Sequence, residues 1–160
     1  MQIIHHRVNT LEQLKNLPLS DGAEIDIRYH ENELILHHDS FHHHEDRPIS
    51  LNSFLKAWNH LGPLILNLKC EGVEEMCIEL MNFFKVRNWF FLDMSMPYFV
   101  RYSNLSNDKS SINFDNSNLA VRFSDYEPIE YAISFQGKVK WVWVDSFHNF
   151  PLSIPKYNDF

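Results

Sequence analysis

Two periodicities alternate along this chain, one of short apolar runs and one of apolar residues at helical spacing. The runs at residues 2–5, 22–28, 33–37, 64–69, 89–93, 119–122 and 141–145 have strand length and composition. Between them, Leu11, Leu14 and Leu17 recur at helical intervals, with Asn9 or Thr10 as the cap and Pro18 as the stop. A second helix carries Leu51, Phe54, Leu55 and Trp58 behind a Ser50 cap and ends at Gly62-Pro63. Further helices are predicted at 73–85, at 98–102 after Pro97, and around 128–135. Residues 41–46, the Ser/Asn-rich 103–118 and the tail 146–160 read as loops.

One run is not a plain core strand. Glu24, Asp26 and Arg28 alternate with Ala23, Ile25 and Ile27. On a strand this puts both carboxylates on one face, their Cβ atoms roughly 7 Å apart. Two adjacent acids repel, and a hard cation held by carboxylate oxygens explains why they stand together. The break at His30-Glu31-Asn32 reads as a turn, and the run at 33–37 returns the chain to the same end at His38-Asp39.

Strands alternating with helices indicate an α/β fold with a parallel sheet. A doubly wound sheet would favour a G-x-G-x-x-G turn, which this chain lacks. The predicted parallel strands end instead in His6, Asp26-Arg28, Asn67-Lys69, Asp93, Arg122 and Asp145. A TIM-type (β/α) barrel brings all strand C-termini to one mouth, so these polar tips would converge.

Composition narrows the partners. A net charge of −7 and the absence of a basic stripe argue against nucleic acid. No run approaches the ~20 apolar residues of a membrane span, and the start lacks a basic, then apolar leader, so a cytoplasmic protein is expected. Cys70 and Cys77 read as reduced thiols. The residues expected at 160 positions are those of one domain, 1–160.

His6-Arg7, Gly22-Ala23-Glu24-Ile25-Asp26, Leu34-Ile35-Leu36 and His38-Asp39 together resemble the signature of the glycerophosphodiester phosphodiesterases, members of the phospholipase-C-like phosphodiesterases with a TIM-type barrel. Phe91 to Ser95, Val121 to Glu127 and Trp143-Val144-Asp145 look like strands four to six of a bacterial branch of that group. The family's Glu-x-Lys on the third strand is Asn67-Leu68-Lys69 here, as that branch tends to have, and the Gly after His-Arg is Val8. The resemblance implies metal-dependent hydrolysis of a small phosphodiester. Its Mg²⁺ or Ca²⁺ would sit on Glu24, Asp26 and Asn67, its phosphate on Arg7 and Lys69, and its acid–base pair would be His6 and His38. Asp39, Asp93, Arg122 and Asp145 are further candidates. His5 and His37 are the strand-alternation rivals of His6 and His38, while His42-His43-His44 reads as a solvated loop and Trp141, Trp143, Phe90 and Phe91 as core. The barrel is expected to be incomplete, about six of eight parallel strands. Its open edge predicts self-association or marginal stability, with Pro151 and Pro155 weakening the tail as a cover. The competing expectation is an inactive truncated barrel, or fragment, that serves as a binding or assembly module.

Overall fold

In the computed structural model of the chain, residues 2–40, 48–105 and 114–149 are described. They form β1 (Ile4–His5), α1 (Leu11–Lys15), β2 (Gly22–His30), β3 (Glu33–Leu36), α2 (Leu51–Ala57), β4 (Leu64–Leu68), α3 (Glu74–Phe83), β5 (Trp89–Leu92) and α4 (Met96–Leu105). A 3₁₀ turn (Asn116–Asn118), β6 (Ala120–Phe123), α5 (Ile129–Ile133) and β7 (Trp141–Val144) follow. The fold is mixed α/β. β1, β2, β4 and β5 lie side by side and parallel, β3 adds an antiparallel strand on β2, and β6 and β7 form a second, parallel pair.

Local chemistry sets the element ends. Thr10 caps α1 by accepting from the Gln13 amide, and Gln13 returns the bond, a capping box. Ser50 caps α2 the same way through Ser53. The β2–β3 hairpin turns on Glu31 and Asn32, with φ of 47° and 66°. Two left-handed central residues are the pattern of a type I′ turn, whose twist matches the strands on either side. Where β2 begins, a Cβ on Gly62 would come within 2.3 Å of Asp21 and Gly22 backbone, so only glycine lets these two segments cross.

β2 organises the sheet. Its first half is laddered between β1 and β4, with Ala23 to Ile27 opposite Leu64 to Leu68, and its second half pairs β3. Alternation then separates two apolar layers. Ile25, Ile27, Leu64, Leu66 and Phe91 pack under the helices with Leu14, Phe54, Cys77, Met81 and Phe99. Ile65, Phe90, Leu92 and Ala120 form a second cluster on the opposite face, flanked by Ile4, Trp141 and Trp143. Both faces of β4 and β5 are therefore covered, as strands with parallel neighbours require.

Three expectations need correction. The strands do not run on as one sheet: β5 and β6 meet at a bridge between Phe91 and Leu119, and the ladder parts beyond it. Asp93, at φ 61°, takes a left-handed backbone just past the end of β5. Residues 103–105 are helical, as the end of α4, and 116–118 form the 3₁₀ turn, so the expected loop is shorter than 103–118. Trp141 and Trp143 flank the second cluster half-buried rather than lying fully inside it. The His42-His43-His44 run and the tail with Pro151 and Pro155 lie outside the described residues. Within them, β1 and β7 each have one strand neighbour, both cysteines are free thiols, and no helix is long and apolar enough to cross a membrane.

Candidate active site

The alternation in β2 turns Glu24 and Asp26 away from the helical layer, and both carboxylates are buried, at 2% and 0% exposure. Burying acids is costly unless hydrogen bonds replace the lost water, and most of their oxygens have such partners. Glu24 Oε2 accepts from the Arg7 amide at 2.7 Å, and Oε1 accepts from Asn67 Nδ2 at 2.6 Å. Asp26 Oδ2 accepts from Asn9 Nδ2 at 2.8 Å, while the Asp26 amide donates to Asn9 Oδ1 at 2.9 Å. Two buried acceptors remain without a hydrogen bond, Asp26 Oδ1 and Asn67 Oδ1. Their residues lie opposite each other in the β2–β4 ladder.

The first loop serves this pair. Arg7 takes a left-handed backbone, φ 56°, so its amide meets the Glu24 carboxylate, and the Val8 amide donates to the Glu24 carbonyl at 2.9 Å. The departure at Val8 is thereby accounted for. The left-handed residue is Arg7, and Val8 has an ordinary φ and a buried side chain.

From Asp26 a chain of alternating charge crosses the strand ends. Lys69 Nζ lies 3.4 Å from Asp26 Oδ1 and 3.6 Å from Asp93 Oδ2. Arg122 pairs with Asp93 through Nη2, and its Nε is 4.0 Å from Asp145 Oδ2. β2, β4, β5, β6 and β7 thus each contribute one charged tip, which the sequence reading expected to converge. With Glu24, the cluster holds four carboxylates against two cations.

The histidines stand at the rim. His5 turns to Asp21, Nε2 to Oδ2 at 2.9 Å, and this bond holds the Asp21 carboxyl below its ordinary pKa. His6 takes the other side, its ring 5.3 Å from that of Trp143. His38 Nδ1 is 2.8 Å from Asp39 Oδ1, and that hydrogen bond lowers the Asp39 pKa. His37 Nδ1 meets the Asp39 carbonyl at 2.9 Å. Asp39, at 81% side-chain exposure, serves His38 and stands apart from the carboxylate pair.

Sequence reasoning missed two residues. Asn9 was a cap candidate, but Thr10 does the capping and Asn9 instead clamps Asp26 at two points. Arg28 was seen as a polar strand tip without a task. It donates to the His38 carbonyl at 2.8 Å and the Lys69 carbonyl at 3.3 Å, tying together the ends of two segments that carry candidate residues. The alternation marked its face, and nothing in the sequence marked its acceptors.

A hard cation fits this donor set. Asp26 Oδ1 and Asn67 Oδ1 are oxygen ligands with free lone pairs, and Glu24 adds a carboxylate beside them. Among the described residues no three His, Cys, Asp or Glu side chains gather at metal-holding distance, so a third protein donor beside Glu24 and Asp26 would have to be an amide such as that of Asn67. No protein-family model, curated protein or solved structure matches this chain.

Proposed function

We propose that this chain is a metal-dependent phosphodiesterase acting on a small glycerophosphodiester-like substrate, on an open barrel of the TIM type. The observation that carries the reading is the pair of buried oxygens without a hydrogen bond, Asn67 Oδ1 and Asp26 Oδ1, the latter met only by the Lys69 ammonium at 3.4 Å, beside Glu24 at the strand ends. The strand order β1-β2-β4-β5, continued through the Phe91–Leu119 bridge to β6 and β7, supports the barrel. The resemblance of His6-Arg7, Glu24-x-Asp26 and His38-Asp39 to the phosphodiesterase signature supports the chemistry.

Glu24, Asp26 and Asn67 would hold Mg²⁺ or Ca²⁺, which when bound neutralises charge on a non-bridging phosphate oxygen. Asn9 keeps Asp26 turned so that Oδ1 stays available. Asp39 at His38 Nδ1 selects the tautomer that carries its proton on that nitrogen, which leaves Nε2 to accept one. Asp39 stays ionised at neutral pH and stabilises the imidazolium that forms. In the reaction one histidine removes the proton of the attacking hydroxyl as its oxygen bonds phosphorus. The other, as imidazolium, gives its proton to the alkoxide released when the opposite P–O bond breaks. Arg7 and Lys69 contact phosphate oxygens, Lys69 from its position between Asp26 and Asp93.

Hydrolysis of bis(p-nitrophenyl) phosphate by the purified chain, stripped with chelator and then supplied with Mg²⁺ or Ca²⁺, tests the reading. Metal-dependent turnover is expected, falling about 100-fold or more in His6→Ala and in His38→Ala. No metal-dependent turnover, or loss in His5→Ala and His37→Ala instead, overturns it.

A further inference from the structure

Four cations border the strand ends, and two of them are ion-paired. Lys69 lies between Asp26 and Asp93, and Arg122 between Asp93 and Asp145. Arg7 has no ion pair among the described residues, but it is exposed, and water screens its charge. Arg28 differs. Its acceptors are the carbonyls of His38 and Lys69, which satisfy hydrogen bonds without cancelling charge, and no carboxylate among the described residues forms an ion pair with it. Its Nε is sealed from water with nothing to donate to.

The geometry points to Arg28 as the principal oxyanion ligand of this site, binding the phosphate group itself. The inference rests on the phosphodiesterase reading only for the identity of the anion. Arg28 follows Asp26 by two residues on β2 and so shares its face, about 7 Å nearer the strand end. A phosphate whose one oxygen reaches toward Asp26 would present others along that direction. A guanidinium has five N–H donors; two are spent on carbonyls and Nε is sealed, so one N–H on each terminal nitrogen remains to fork onto a phosphate. The same carbonyl bonds hold the group in place beforehand, and less side-chain freedom is lost when the anion arrives. Lys69, by contrast, already shares its charge between two carboxylates, which weakens it as the main anion ligand.

Calorimetric titration of the full chain with inorganic phosphate in Mg²⁺ tests this, with thermal melts as the folding control. Arg28→Gln should weaken phosphate binding about tenfold or more, beyond the effect of Lys69→Gln, and Arg28→Lys should recover part of the loss by restoring the charge. Affinity unchanged in Arg28→Gln overturns the inference, as does a larger loss in Lys69→Gln or no recovery in Arg28→Lys. Should Arg28→Gln fail to fold, Arg28→Lys decides alone: several-fold weaker binding upholds the assignment, and wild-type affinity overturns it. Phosphate binding that depends on Arg28 in a chain that turns over no diester would leave this assignment standing and remove the phosphodiesterase reading instead.

Discussion

Asp26 and Asp125 are both aspartates wrapped in hydrogen-bond donors, and they use those donors to opposite ends. Asp125, in the loop after β6, accepts from the amides of Phe147, His148 and Asn149 at 2.9, 2.8 and 3.0 Å. Those amides lower its pKa to about 2, and the clamp brings the Phe147 ring 5.8 Å from the Arg122 guanidinium. Both of its oxygens are filled, and all the donors belong to the backbone it organises. Asp26 is fully buried, yet one of its oxygens has no hydrogen bond and the other is held by an asparagine side chain. A filled carboxylate fastens chain to chain. A buried carboxylate kept partly unfilled by the residues around it costs stability, and that cost is understandable when a ligand supplies the missing partner.

The contrast can be broken most sharply at the buried pair. Glu24→Gln and Asp26→Asn should each lower metal-dependent hydrolysis by about 10³-fold, the scale of losing a main electrostatic contact. Asp26→Asn should leave the melting temperature in chelator unchanged, and Glu24→Gln should lower it because the new amide N–H₂ faces one of two donors. Both should abolish its rise on adding Mg²⁺ or Ca²⁺, which follows ligand saturation. A variant that melts lower in chelator and keeps the metal response would make this pair as structural as Asp125.

At the filled carboxylate the effect should be smaller and fall on stability. Asp125→Ala should melt a few degrees lower than wild type at pH 7, with hydrolysis nearly unchanged. The folded-state pKa is depressed from 3.8 to about 2, so the stabilisation is present above the unfolded value and fades as pH falls toward 2. Melts at stepwise lower pH should show the two proteins converging. A constant gap down to pH 2 would mean the carboxylate charge is not what the clamp uses.

Glu74 gives the smallest and opposite response. It is buried in the first turn of α3, where burial raises its pKa although its own amide and that of Gly72 donate to it. A raised acid favours folding while protonated, and that stability is lost as pH rises through the folded value. Glu74→Gln should therefore match wild type near pH 4 and melt slightly higher at pH 8. A lower melting point at pH 8 would show that the helix N-terminus gains more from the charge than burial takes away.

Much of the fold was legible because its layers are simple. Ile25, Ile27, Leu64 and Leu66 mark one face of the sheet and Glu24, Asp26 and Asn67 the other, a period that survives folding unchanged. The strand tips could be located for the same reason, and Lys69, Asp93, Arg122 and Asp145 do meet. The parting of β5 from β6 was hidden, because the length of a ladder between two apolar strands leaves no pattern in the sequence. So were the tasks of Asn9 and Arg28. Asn9-Thr10 offers two good caps, and which one is left over is decided by Asp26, seventeen positions away. Arg28 is anchored to carbonyls, which every residue has and no residue type announces.

The two halves of β2 also differ in when they can form. The pairs from Ile27–Leu36 to His30–Glu33 close across a two-residue turn, and a hairpin of this kind assembles in about 1–10 μs. The pairs from Ala23–Leu64 to Ile27–Leu68 must wait for α2 and its loops to bring β4 back. Non-local parallel pairing is the slow part of such a fold. Arg28 belongs to the early half, while Asp26 meets Asn67 only in the late one. The chain can therefore place its cation early, gain that cation's second anchor at Lys69 with β4, and bury its carboxylates last, so that the costly desolvation falls when most of the surrounding structure is there to compensate.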